Sequence, residues 1–333
     1  MSVGYRLFGS ELSPYSVKVR SYLRYKGIPH EWVPRTAANQ GEFERYARLP
    51  LIPLLVTPEG AGLQDSTPII EALEERFPEP SIHPPDPTGR FLSALLEEFA
   101  DEWGNKWMFH YRWAREVDQE SAARRLAEAM LPDASAEERA EAARSIRARM
   151  VERVWYVGSS AETAPQIEDS YREAVDLLEA HLRGRPYVFG ARPAFADFGL
   201  WGQLYCCWTD PTAGALLRER APAVVDWIER MGEPAAAGAF EGWRSLAATL
   251  EPLLARQVGR LFLPWSDANA RALAAGSAEL EVELDGRRWR QRPQKYHARS
   301  LAALRERFAR TERSPELDAA LERTGCLGWL RAG

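Results

Sequence analysis

Lysine is nearly missing from this 333-residue chain: only Lys18, Lys26, Lys106 and Lys295 stand against 39 arginines. A coding bias that also enriches alanine accounts for that ratio without any function. A basic excess is lacking too. Lys plus Arg total 43 against 48 for Asp plus Glu, a net charge of −5 and a pI near 5.8. That balance argues against a general nucleic-acid or anionic-membrane binder. Cysteine is scarce. Cys206, Cys207 and Cys326 cannot build a disulfide framework, which points to a reducing, cytoplasmic setting. The five histidines are scattered, with no zinc-ligand spacing and no HExxH motif, so no metal is expected. No apolar run approaches the ~18 residues of a spanning helix. The N-terminus shows no basic segment followed by an apolar stretch, so no signal peptide is expected.

What is present is an ordinary globular balance, 45% hydrophobic and 27% charged, at a length that suits two domains of about 150 residues each. The first 80 residues alternate short strands with helices. Tyr5 to Phe8 reads as a strand, and a helix follows with Tyr15, Val19, Tyr22 and Leu23 on one face. Ser13 is its N-cap candidate, Pro14 fits the first helical position and Gly27 ends it. His30 to Val33 is a second strand, Asn39 to Arg48 is helical or irregular, and Ile52 to Val56 is a third strand. A turn over residues 58–62 leads to a short strand at Leu63-Gln64. A second marked helix opens at Asp65-Ser66 and buries Ile69, Ile70, Leu73 and Phe77.

Residues 78–89 hold five prolines and read as a stiff boundary. Beyond it lie amphipathic helical stretches near 90–115, 121–130, 135–156, 166–183, 196–208 and 222–231. Past about residue 250 the character changes. Glu279 to Leu284 alternates polar and apolar, Asp285-Gly286 is a two-residue turn, and Arg287 to Arg290 returns. Helices near 298–310 and 315–323 follow. The organisation expected is therefore 1–80, 88–250 and an extension over 251–333. A lone hairpin is marginal in water. Phe262, Trp265, Trp289, Tyr296, Phe308 and Trp329 suggest that the extension docks onto the helical domain or roofs a cleft; a partner-binding surface is the alternative.

The Ser13-Pro14-Tyr15-Ser16 helix entry, the Ile52-Pro53 strand start, Gln64-Asp65-Ser66 and the late motif Arg192-Pro193-Ala194-Phe195-Ala196-Asp197-Phe198 together resemble the cytosolic glutathione transferases. The resemblance spans about residues 4–250. It implies a thioredoxin-like α+β domain followed by an all-α domain, a homodimer, and glutathione as cosubstrate. It further implies a cis Ile52–Pro53 bond that frees the Ile52 backbone for the cysteinyl part of glutathione. Gln64, Asp65 and Ser66 would hold the γ-glutamyl end. A helix start suits a carboxylate, the Ser66 hydroxyl adds a donor, and Asp65 suits the ammonium group. Plain helix capping by Ser66 or Thr67 is the alternative. The loop Ala47-Arg48-Leu49-Pro50-Leu51 departs from the family pattern.

The resemblance places the thiol activator at Ser13, with Ser16 and Tyr5 as alternatives. Serine cannot form a mixed disulfide, so thiolate stabilisation by hydrogen bond is the chemistry implied. Trp103, Trp107, His110 and Tyr111 crowd one helix and are the candidate wall for a small hydrophobic electrophile; an aromatic core stripe is the alternative. Ala194 stands where the family has Ser or Thr three residues before Asp197, so half a capping box is missing. The function implied is thiolate attack on an electrophile: conjugation, ether cleavage, dehalogenation or peroxide reduction. A non-catalytic binding or scaffold protein on the same fold is the alternative.

Overall fold

A computed structural model describes residues 4–331. Its first layer is a four-stranded sheet flanked by helices. Strand β1 (Tyr5–Gly9) leads to α1 (Pro14–Tyr25), β2 (His30–Pro34), α2 (Gln40–Tyr46), β3 (Leu54–Val56), β4 (Gly62–Gln64) and α3 (Ser66–Arg76). The strand order is β2-β1-β3-β4. β1 and β2 run parallel with Leu7 opposite Trp32, and β3 is antiparallel to both β1 and β4, with Phe8 opposite Leu54. The ladder starts at Leu54 rather than Ile52 because Pro53 has no N–H to donate. The Ile52–Pro53 bond is cis. Ser13 caps α1 by accepting the Ser16 N–H at 3.2 Å, with Pro14 at the first helical position.

The second layer is helical: α4 (Pro87–Phe99), α5 (Asn105–Ala114), α6 (Glu116–Met130), α7 (Ala136–Val151), α8 (Ala164–Leu182), α9 (Phe195–Thr209), α10 (Pro211–Arg220), α11 (Pro222–Arg230) and α12 (Trp243–Leu253). α4 and α5 join without a break through a π-helical stretch, Ala100–Gly104. α9 runs through the middle and packs on α1. A Cβ on Gly202 would lie 2.5 Å from the Pro14 carbonyl oxygen, so glycine is what lets the two helices approach. The start of α9 is held without the missing cap. The buried Asp197 carboxylate accepts the N–H groups of Val188 and Ala194 and the indole N–H of Trp227, each at 2.9 Å. Ser93 of α4 accepts the Ala196 N–H at 3.0 Å and takes over the absent hydroxyl's task.

The extension continues α12 through a second π stretch, Leu254–Phe262, into α13 (Leu263–Ala274). The hairpin β5 (Leu280–Leu284) and β6 (Arg287–Gln291) follows, then α14 (Lys295–Arg310), α15 (Pro315–Arg323) and α16 (Leu327–Arg331). Asp285 and Gly286 both have positive φ, as a tight two-residue hairpin turn requires. α13 escapes pattern reading because Leu263 to Asn269 are all buried and leave no polar face. α12 carries Pro252 inside it, an ordinary stop signal.

Two of the four lysines hold the layers together. Lys106 of α5 is buried with its ammonium 3.6 Å from the ring centre of Trp265 and 5.4 Å from those of Trp103 and Trp289. Its Nζ donates to the Val157 carbonyl at 3.1 Å. Burial pushes its pKa well below the usual lysine range, with Glu102 opposing. The hairpin is thus docked on the helical layer through Trp289, as the aromatic content suggests. Lys18 of α1 is 1% exposed. It pairs with Glu97 and, at 2.6 Å, with Asp101 across the layer boundary, and reaches the Thr67 hydroxyl at 3.2 Å.

These two lysines should respond differently to the same replacement. Lys18→Met leaves two buried carboxylates uncompensated and should cost about 3–5 kcal/mol. Lys106→Met keeps the volume and strands no charge, so it should cost under about 1.5 kcal/mol. Denaturant unfolding of both variants measures the difference.

Candidate active site

A cleft of about 1330 Å³ opens between the two layers. Its floor is the turn after β1 (Ser10, Glu11, Leu12, Ser13) together with Tyr15, Trp32 to Arg35, Leu51 and Ile52. Its opposite wall comes from α5, α6 and α7, with Asn105, Met108, Phe109, Trp113, Leu126, Met130 and Met150. The wall is mostly apolar and sulfur-rich, a surface that adapts to varied apolar ligands.

Ser13 stands at the inner end of this cleft. Its hydroxyl oxygen accepts the Ser16 N–H, which leaves its own proton free to donate. The turn that carries it is fixed from behind. Arg112 of α5 donates from Nη1 to the Leu12 carbonyl at 2.6 Å and from Nε to Asp210 at 2.7 Å. Arg112 is fully paired and buried, and nothing in the sequence singled it out. The two alternatives to Ser13 do not face the cleft. Ser16 is completely buried with an unpartnered hydroxyl. Tyr5 is buried in the core shared with α1 and α3, edge-on to Phe77, and does not line the cleft.

The aromatic stripe of α5 and the π stretch lies on the other face. Trp103, Trp107, His110 and Tyr111 are all buried and none lines the cleft. Both indole N–H groups donate to the Ser170 hydroxyl, at 2.8 and 2.9 Å. His110 bridges Ser159 and Glu168. Asn105, Met108, Phe109 and Arg112, at helical spacing, are the residues that face the cleft instead. The substrate wall expected from sequence is therefore corrected: Trp103, Trp107, His110 and Tyr111 are core, and the cleft uses the opposite side of the helix. Among its described residues the extension does not roof this cleft either, since none of them lines it.

Ile52 borders the cleft, and among the described residues no hydrogen bond occupies its backbone N–H or C=O. Gln64 is a different matter. Its side-chain oxygen accepts the N–H groups of Arg48 (2.7 Å) and Leu49 (3.0 Å). Its nitrogen donates to the carbonyls of Leu49 and Leu51, both at 2.8 Å. That exhausts the amide's two acceptor and two donor positions. The Gln64 side chain thus builds the atypical 48–51 loop and has nothing left for a ligand. Asp65 follows with φ 75° and its carboxylate makes no cap bond to α3. Ser66 is fully buried, and its hydroxyl lies 3.4 Å from both Lys18 Nζ and Asp101 Oδ2. Burial pushes the Asp101 carboxyl up to about 7, with Lys18 pulling the other way. Among the described residues no group of three or more His, Cys, Asp or Glu side chains is arranged to hold a metal ion.

Comparison with known proteins bears on this geometry. Residues 7–81 match the family description "Glutathione S-transferase, N-terminal domain", and residues 137–230 match "Glutathione S-transferase, C-terminal domain". The chain belongs to the glutathione S-transferase family. A probable glutathione S-transferase of Nicotiana tabacum is 29% identical over 99 residues, covering 29% of this chain and 44% of the tobacco protein. The chain thus spans about half the length of that relative. The isoprene-epoxide–glutathione S-transferase of Rhodococcus sp. strain AD45 is 23% identical over 225 residues, covering 66% of this chain and 92% of that protein. Among solved structures, the beta-etherase LigF of Sphingobium sp. strain SYK-6 is similar at 19% identity and a TM-score of 0.49, with 76% of this chain and 100% of that one covered. Both glutathione S-transferase family matches end before the extension, the second at residue 230.

The loop stitched by Gln64 gives a direct test. Gln64→Leu removes four hydrogen bonds that no other side chain replaces, so amide exchange should quicken at residues 48–51. The rest of the sheet should keep its protection in the same hydrogen-exchange experiment.

Proposed function

We propose that the protein is a glutathione-dependent transferase that activates the glutathione thiol at Ser13 and delivers it to an apolar electrophile in the cleft. The observation that carries this reading is the Ser13 hydroxyl: fixed by the Ser16 N–H it accepts as the cap of α1, free to donate, and open to an apolar cleft beside an unpaired Ile52 backbone. The γ-glutamyl end lies at Asp65 and the start of α3, where an acidic side chain suits the ammonium and the helix N-terminus suits the carboxylate. The cysteinyl backbone pairs with Ile52, and the sulfur then projects toward Ser13. Arg35 lines the cleft on the far side of Ile52, with Nη1 on the Pro50 carbonyl at 2.8 Å, and offers a cation to the glycyl carboxylate.

A free thiol with pKa near 8.5 is only a few per cent ionised at pH 7. A hydrogen bond from Ser13 and the dipole of α1 favour the thiolate, and the thiol proton leaves to solvent. The sulfur's electron pair then forms the new C–S bond as the electrophile's leaving group, or the oxygen of a strained ring, takes the displaced pair. One relative is named for an isoprene epoxide, and the apolar wall of Met108, Phe109, Met130 and Met150 suits an electrophile of low polarity. A cytoplasmic homodimer, implied by the resemblance, belongs to the same proposal, and sedimentation velocity reads the assembly.

Ser13→Ala should raise the pKa of bound thiol by about one unit, equivalent to about 1.4 kcal/mol, in an ultraviolet thiolate titration. Turnover at neutral pH should fall in parallel while glutathione affinity holds. Asp65→Ala should weaken glutathione binding by about 1.5–3 kcal/mol in calorimetry, as expected for a lost bond to a charged group. A chain that is not retained on immobilised glutathione contradicts the reading and favours the scaffold alternative.

A further inference from the structure

Helix α14 brings two side chains of the extension onto the layer boundary where Asp65 lies. The Tyr296 hydroxyl donates to Asp65 Oδ2 at 3.2 Å, across 231 residues of sequence. The next residue, His297, pairs through Nδ1 with Glu102 of the π stretch. His297 is set in place by its edge-on contact with Trp265, 4.8 Å between ring centres, and Trp265 is held by an indole bond to Gln291 at 3.0 Å. Tyr296 is 53% exposed, so its ring forms a surface over Asp65 rather than part of the core.

The ground beneath is acidic. Lys18 pairs with Glu97 and Asp101, Glu102 pairs with His297, and among the described residues Asp65 has only the Tyr296 hydroxyl on its carboxylate. Asp101 Oδ1 is buried and has no partner among the described residues. An excess of carboxylate with a vacant acceptor is chemistry for an ammonium group. Resting on the glutathione reading above, we propose that Tyr296 is a positioning residue: it forms the outer wall of the γ-glutamyl subsite and aims Asp65 at the ligand's free α-ammonium. The extension thereby sets a specificity. What Tyr296 adds is a gain in affinity that only a ligand carrying the free ammonium receives.

The experiment is calorimetric titration of the full chain and of Tyr296→Phe with glutathione, and with its des-amino analogue in which hydrogen replaces the ammonium. The unfolding midpoint of both proteins is measured alongside. Wild type should bind glutathione more tightly than the analogue. Tyr296→Phe should lose about tenfold in glutathione affinity, the scale of one bond to a charged group, with no change for the analogue and no change in midpoint. Equal losses for both ligands, or none for either, would overturn the role of Tyr296 while leaving the glutathione reading intact. A wild-type protein that binds neither thiol would overturn both.

Discussion

Lys18 is the charge on which the two layers close. It stands on α1 of the sheet layer, and its partners Glu97 and Asp101 belong to α4 and the π stretch of the helical layer. An ammonium so buried costs several kcal/mol unless it is paired, so the two layers have a strong preference for one relative placement. That placement brings the Ser13 turn opposite α5 and opens the cleft between them. The same ammonium reaches toward the start of α3 through Ser66 and Thr67. Orientation of the helix that carries Asp65 and closure of the layers are therefore consequences of one ion cluster.

α5 divides its labour by face. One side carries Trp107, His110 and Tyr111 inward, where the Trp107 indole finds Ser170 and the His110 ring finds Ser159 and Glu168. The other presents Met108 and Phe109 to the cleft and uses Arg112 to grip the Leu12 carbonyl. The core side is anchored by large aromatic rings and the cleft side includes the unbranched, adaptable Met108 side chain, so the wall can yield to a ligand without disturbing its support. The π stretch contributes the Asp101 carbonyl, which accepts the Tyr15 hydroxyl at 2.9 Å.

Much of this was legible in the sequence, for physical reasons. Ser13-Pro14 and Gly27 bracket α1 because caps and breakers act locally. The Asp285-Gly286 turn defines the hairpin for the same reason. Ser13 itself is placed by its cap, and the structure keeps it at the cleft. What could not be read is what depends on partners far along the chain. The facing of α5 was misjudged because an aromatic stripe marks a buried face as readily as a binding one, and no local feature says which. The Gln64 amide is spent on the 48–51 loop, and Ser93 replaces the missing cap at Ala194, through contacts that no spacing rule encodes. Helices α10, α12 and α13 went unnoticed. In α13 the buried residues leave no polar face, and in α12 a proline interrupts the pattern.

The bonds from α14 to Asp65 and, through Arg307, to Glu71 join residues 231 and 236 positions apart. A chain emerging from the ribosome makes its sheet layer first and α14 almost last. Loop closure over such distances is slow to find and late to form. For most of its synthesis the N-terminal layer therefore exists without Tyr296 or Arg307 against it, and the acidic ground around Asp65 stays open to water until the final tenth of the chain has been made.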